Sequence, residues 1–99
     1  MILWLDGAHP PRRNMARDAG LLAAVADGRL AEPVLRLFAF APHGITLGRL
    51  QDPARELDLE RLARDRVPWA VRPTGGRAIF HAEEWTFSLT TPLAPAGWA

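Results

Sequence analysis

Residues 72–81, Arg-Pro-Thr-Gly-Gly-Arg-Ala-Ile-Phe-His, combine two glycines, two arginines and a histidine. Because glycine has no Cβ, the backbone of the pair can come close to a ligand, and successive amides can bind an anion. Arg72 and Arg77 add charge that suits a phosphate or a carboxylate. His81 is two residues beyond Ile79, so both are expected on one strand face. The segment predicts an anion-binding loop, with a plain hairpin carrying exposed arginines and a surface histidine as the alternative.

The groups that would complete a reaction are not in this chain. It has no cysteine, and all twelve of its basic residues are arginine, which stays protonated and cannot act as an amine nucleophile. The hydroxyls of Thr46, Ser88 and Thr90 are interpreted as sheet-face residues. The three histidines show no metal-ligand spacing, so no metal site is predicted. The residues thus indicate binding, with no catalytic residue in this chain.

Composition limits the possible partners. Ninety-nine residues with a net charge of +1 suggest one small domain or part of a larger one. The arginines at 61–66 alternate with an acid and are predicted to form a solvated helix face, which argues against a nucleic-acid partner. No segment approaches the roughly 20 apolar residues that span a bilayer. The lack of cysteine fits a cytoplasmic protein.

The periodicity predicts an α+β fold, with helices packed on a mixed or largely antiparallel sheet. Residues 9–13, with two prolines, are expected to form a turn. Asn14 is expected to cap the first helix and Gly28 to end it, and Asp58 to cap the second. Residues 82–84 are expected to form a turn between the last two strands. In the second of these strands apolar residues alternate with threonine and serine, the pattern of a half-buried strand. Residues 92–99 are expected to be a loose tail. Strands are predicted at 2–5, 34–41, 45–47, 69–72, 78–81 and 85–91, and helices at 15–26 and 57–66.

Residues 72–81 resemble the signature of the biotin/lipoate A/B protein ligase family, most of all its lipoate–protein ligase A-like and octanoyltransferase-like members. Three further segments match in the same order: Asn-Met-Ala-Arg-Asp at 14–18, Thr-Leu-Gly-Arg-Leu-Gln at 46–51 and Glu-Trp-Thr-Phe-Ser-Leu at 84–89. The resemblance runs from about Trp4 to Leu93. Residue 77 is arginine where many ligases have a third glycine, as in octanoyltransferase-like members, and residue 82 is alanine where an aspartate is common. The usual biotin-ligase glycine–arginine run is absent.

The resemblance implies part of the class II synthetase and biotin ligase catalytic fold. It implies binding of lipoate or octanoate, and of ATP with Mg in a ligase. The acceptor would be a lysine on a lipoyl-carrier domain of an oxo-acid dehydrogenase or glycine-cleavage protein. By the same resemblance, the acyl/adenylate site comprises Arg72, Thr74, Gly75, Gly76, Arg77, Ala78 and His81, with Gly48 and Gln51 as weaker matches. Asn14 and Asp18 are interpreted as capping or packing positions.

Family ligases use a later lysine and the transferases a cysteine, and this chain has neither. We therefore expect residues 1–99 to be the amino-terminal half of such a catalytic domain, inactive alone, with a second chain as one source of the missing half. A noncatalytic acyl/adenylate-binding module derived from the family is the alternative. The sequence leaves open ligase or transferase, and lipoate or octanoate.

Overall fold

A computed structural model describes residues 1–93, which form six strands and three helices. The predicted loose tail at 92–99 lies mostly outside these residues. The strands are β1 (Ile2–His9), β2 (Val34–Phe40), β3 (Gly44–Leu47), β4 (Trp69–Val71), β5 (Ile79–His81) and β6 (Thr86–Thr90). The helices are α1 (Pro11–Ala26), α2 (Pro53–Glu56) and α3 (Leu59–Arg64). Within the described part, no helix is long and apolar enough to cross a membrane.

The strands form two three-stranded sheets, each with one parallel and one antiparallel pair. In the first sheet the order is β1-β2-β6, with β1 parallel and β6 antiparallel to β2. In the second the order is β4-β3-β5, with β4 parallel and β5 antiparallel to β3. The α+β prediction with mixed pairing is confirmed, although the strands divide between two sheets.

The core lies where α1 packs across both sheets. Met15 of α1, Phe38 and Phe40 of β2, and Ala70 of β4 form one buried cluster. The rings of Phe38 and Phe40 are 5.6 Å apart and tilted, a favourable aromatic arrangement. Through this cluster α1 packs against strands of both sheets.

The first helix begins earlier than the sequence suggested. The turn predicted at residues 9–13 is the start of α1, because Pro11 occupies the first helical position, where the missing amide has no intrahelical partner. Pro10 is therefore the N-cap residue, and the predicted cap at Asn14 is wrong. Gly28 follows the C-cap with φ +81° and ends the helix as predicted. Asp58 caps α3 as predicted, accepting from the Arg61 amide at 3.1 Å.

Two expectations about β5 and β6 are corrected. Residues 82–85 do connect them, but the strands belong to different sheets and form no hairpin. The alternation along β6 is present, but its apolar side chains Phe87 and Leu89 are exposed, whereas Thr86, Ser88 and Thr90 are partly buried. The apolar face of this strand thus points away from α1.

Candidate functional site

The glycine segment crosses the end of β3 on its way from β4 to β5. Backbone hydrogen bonds fasten it at both sides of the turn: the Arg72 amide donates to the Leu47 carbonyl at 2.8 Å, and the Arg49 amide donates to the Thr74 carbonyl at 2.8 Å. Since β4 and β5 both pair with β3 and not with each other, the segment is not a hairpin turn. The plain-hairpin alternative is therefore wrong.

Arg72 stabilises the loop from inside. Its Nη1 donates to the carbonyl and hydroxyl oxygens of Thr46 at 3.1 and 2.8 Å. Its Nη2 donates to the carbonyls of Gly75 and Arg77 at 3.2 and 2.7 Å. Burial lowers the pKa of the guanidinium, which still remains charged. A group predicted to bind an anion is thus largely engaged in holding the loop closed.

Gly48 and Gln51 support the same loop from below. The Gln51 side-chain oxygen accepts from the Gly48 amide at 2.9 Å, and the Gln51 amide donates to the Gly48 carbonyl at 3.0 Å. This tight turn presents the Gly48 backbone to Gly76, which has φ +104° and so favours glycine. Both residues therefore shape the loop from beneath.

A hydrogen-bonded chain runs through the buried His81 ring. The ring stacks on Phe40 with centroids 3.9 Å apart. Its Nε2 is 2.7 Å from the Thr46 hydroxyl and its Nδ1 is 2.8 Å from a Glu84 carboxylate oxygen. With a neutral imidazole, Arg72 donates to Thr46, Thr46 donates to Nε2, and Nδ1–H donates to Glu84. The histidine is thus held by three groups and is not at the surface.

The outer part of the loop is open to solvent. Thr74, Gly75, Gly76, Arg77 and Ala78 are all exposed. Within residues 1–93, the hydrogen bond of Arg77 is made by its carbonyl, which accepts from Arg72. Its exposed guanidinium can therefore turn towards a ligand, whereas both Nη atoms of Arg72 already donate hydrogen bonds to the protein.

A cavity of about 450 Å³ opens beside the loop, between α1, β2, β5 and β6. Its walls include the apolar side chains of Met15, Phe38, Phe40 and Ile79. Arg72, Thr74 and His81 also line it, so Ile79 and His81 share a face as predicted. Binding sites for small organic molecules commonly combine apolar walls with a few polar groups, as here.

Beneath α1 lies a buried polar layer built around Arg36. This residue is fully buried on β2, and its guanidinium lies 3.9 Å from the Phe38 ring centroid. It donates to Asp6 at 2.8 Å, to Asp18 at 2.9 Å and to the Asn14 side chain at 2.6 Å. Ser88 donates to the same Asp18 oxygen at 2.7 Å. The layer joins α1 to all three strands of the first sheet.

Asn14 and Asp18 are therefore packing residues. The side-chain Nδ2 of Asn14 also donates to the carbonyls of His9 and Ala39, at 3.0 and 2.9 Å. Burial alone would raise the pKa of Asp6, but hydrogen bonds and charge from Arg17 and Arg36 outweigh it, so the pKa is lowered.

The sequence interpretation missed Arg36, Asp6 and Glu84, and took Thr46 for an ordinary sheet residue. Arg36 is a lone charge within the apolar run of β2, and Asp6 follows an apolar run in β1. Both residues could have been singled out in the sequence, because a charged side chain inside a buried strand needs a partner. Among residues 1–93, no group of three His, Asp or Glu side chains is arranged to hold a metal ion.

Residues 10–97 match the family model of the lipoyl protein ligase A/B catalytic domain. An octanoyltransferase LipM from Exiguobacterium sp. is 44% identical over 82 residues, which are 83% of this chain and 29% of that protein. The LipM of Exiguobacterium sibiricum is 38% identical over 82 residues, with the same coverage of 83% and 29%. The chain thus spans about three tenths of the length of these relatives.

Solved structures share the fold at lower identity. P. falciparum LipL1 in complex with lipoate has a TM-score of 0.65 at 23% identity, covering 88% of this chain and 30% of that one. Lipoate-protein ligase A bound with ATP has a TM-score of 0.65 at 22% identity, and the match covers 89% of this chain and 35% of that one. A third structure is a bi-partite lipoate protein ligase from Thermoplasma acidophilum, described with its E2 lipoyl domain. Its TM-score is 0.62 at 22% identity, and the match covers 90% of this chain and 35% of that one.

Proposed function

The chain belongs to the lipoyl protein ligase A/B catalytic domain family, and we propose that it is the acyl-binding part of an enzyme that attaches octanoyl groups to a lysine of a lipoyl-carrier domain. The observation that carries this proposal is the apolar cavity beside the glycine loop, lined also by Arg72 and His81. Octanoate rather than lipoate is favoured because the relatives at 44% and 38% identity are octanoyltransferases.

Each part of the site has a distinct proposed role. The hydrocarbon tail of the acyl group lies against Phe38, Phe40 and Ile79, where it is removed from water. The exposed loop amides and the Arg77 guanidinium meet the carboxyl end of the acyl group or a phosphate bound to it. Fixed donors of this kind stabilise negative charge that develops during acyl transfer.

The reacting group is proposed to come from outside this chain. Acyl transfer through a thioester needs a cysteine thiolate, and this sequence has no cysteine. A ligase route would use ATP, whose phosphates suit the same loop, and Mg held by those phosphates. Under either route residues 1–99 bind and orient the acyl group, and the full enzyme acts in the cytoplasm.

NMR titration of the ¹⁵N-labelled chain with octanoate, and then with an octanoyl-adenosine sulfamate, tests the binding role. We expect the largest shifts at the amides of Gly75, Gly76 and Ile79. Ile79→Glu should weaken binding at least tenfold because it places a charge in the apolar cavity. Ile2→Glu makes the same change at an isoleucine of similar exposure on β1 that does not line the cavity, and it is the matched control. Equal affinity of the two variants would contradict the proposal.

Mass spectrometry of a lipoyl-carrier domain tests whether the reacting group lies outside this chain. Incubated with this chain and octanoyl-carrier protein, or with octanoate, ATP and Mg, the domain should gain no octanoyl mass. Acylation by the isolated chain would show that it contains its own reacting group. A requirement for ATP in that acylation would assign it to the ligase route.

A further inference from the structure

The face of the first sheet that points away from α1 is apolar across all three strands. Strand register places its side chains in two rows: Leu3, Leu35 and Leu89 in one, and Leu5, Leu37 and Phe87 in the other. We call these six residues the apolar sheet face. It is the reverse side of the strands that contribute Arg36 and Ser88 to the buried polar layer.

Much of this face is open to solvent. Leu5 and Phe87 are 71% and 69% exposed, and Leu35 and Leu37 are only partly covered. Trp85, 75% exposed, adds a large ring next to it and borders an apolar depression of about 410 Å³ with Leu5 and Leu37. Monomeric proteins rarely expose a contiguous apolar patch above a few hundred Å², and larger ones mark interaction sites.

The size of the relatives indicates what covers this face. The solved structures superpose on 88–90% of this chain, but it accounts for only 30–36% of their length. The two octanoyltransferases are matched over 29% of theirs. Roughly two thirds of each of these proteins therefore lies outside the segment that matches this chain, and an exposed apolar sheet face is stabilised when another layer covers it.

We propose that the apolar sheet face docks the remaining, carboxy-terminal part of the family's catalytic domain, through a complementary apolar surface on that part. The identity of this partner rests on the proposed function, whereas the position of the interface rests on the exposed residues. The docking surface also bears on the acyl site, because Phe87 and Leu89 belong to the face and β6 borders the cavity. Docking against β6 would hold that wall in place.

Coexpression tests the docking directly. The full 99-residue chain is produced with a tagged carboxy-terminal fragment of the 44% identical Exiguobacterium octanoyltransferase, starting after the segment that matches this chain. We expect a 1:1 complex by size-exclusion chromatography with light scattering. If the fragment is insoluble alone, its recovery in the soluble fraction with this chain is the same result. Failure of the wild-type pair to associate overturns the proposal.

Two matched variants locate the contact. Leu5→Glu puts a charge on the most exposed leucine of the face, beside the apolar depression, and Leu50→Glu makes the same change at a leucine 87% exposed elsewhere. Leu5→Glu should weaken the complex at least tenfold, and Leu50→Glu should leave it unchanged. Circular dichroism checks that both variants fold. Equal complex formation by the two variants overturns the proposal, as does a dimer of the chain alone that only Leu5→Glu dissociates.

The same samples separate this inference from the proposed function. A complex that forms and depends on Leu5, but neither binds the octanoyl sulfamate nor acylates a carrier domain, supports the docking and contradicts the function. Binding of the sulfamate by the chain, without any complex, supports the function and contradicts the docking.

Discussion

Gly48 and Gly76 are in direct backbone contact. A Cβ built on Gly48 would lie 2.0 Å from the carbonyl oxygen of Gly76 and 2.8 Å from its carbonyl carbon, closer than real Cβ contacts come. The loop above β3 therefore keeps its shape only if residue 48 has no side chain. This contact explains why a glycine 28 residues before Gly76 belongs to the same site.

Gly48→Ala should destabilise the protein, because the added methyl group forces the loop backbone away from β3. We expect a loss of about 1–3 kcal/mol in the free energy of unfolding, as for other overpacked sites. Gly75→Ala is the control, since a Cβ at Gly75 meets nothing within 4 Å. Urea denaturation followed by circular dichroism measures both, and equal stability of the two variants would contradict the contact.

Arg72 and Arg77 should differ in what their loss changes. Arg72→Gln removes the guanidinium that donates to Thr46, Gly75 and Arg77, so the thermal midpoint should fall and the loop amides should exchange faster. Arg77→Gln changes an exposed side chain, so the midpoint should stay within a degree or two while affinity for the octanoyl sulfamate falls. Calorimetric scans and titrations separate the effects; the reverse pattern would reassign the two arginines.

Glu84 should fix the tautomer of His81. Glu84→Ala removes the carboxylate that accepts from Nδ1–H, so the imidazole should lose its single tautomer and populate both. Two-bond ¹H–¹⁵N spectra of the ring report this directly. Glu83→Ala, at the neighbouring exposed acid, should leave the ring signals unchanged. A wild-type ring already split between tautomers would refute the hydrogen-bonded chain.

Asp6 should make stability depend on pH in the acid range. Its pKa is lower in the folded chain than the unfolded value of about 3.9, so its contribution is present above about pH 4 and is lost as the pH falls through the folded pKa. Asp6→Asn should cost roughly 2–3 kcal/mol at pH 7, because it leaves Arg36 without its full charge partner.

Denaturation of both proteins at pH 7 and pH 3 measures this effect. The wild-type protein should lose more stability on acidification than Asp6→Asn, which has no carboxylate left to protonate at this position. Asp27→Asn, which breaks an exposed pair with Arg29, is the control and should behave as the wild type does at pH 7. An identical pH response of wild type and Asp6→Asn would show that Asp6 carries no such linkage.

Two of the three predicted helix caps hold in the structure. Gly28 ends α1 and Asp58 begins α3, because capping is decided within one turn of helix. The start of α1 was placed too late because residues 10 and 11 were interpreted as a turn, although proline also suits the first helical position.

The amino-acid sequence by itself determined the family, the α+β class and the inventory of the glycine loop. Only the tertiary structure decided how those residues are used. It buries His81 and hydrogen-bonds it to Thr46, which is 35 residues away in the sequence. It also hydrogen-bonds Ser88 to Asp18, which is 70 residues away. It also leaves the apolar side of β6 exposed, although the alternation in the sequence could not show which side of the strand would be buried. Local patterns fix backbone conformation and side-chain period, but hydrogen-bond partners and burial depend on which distant segments pack together.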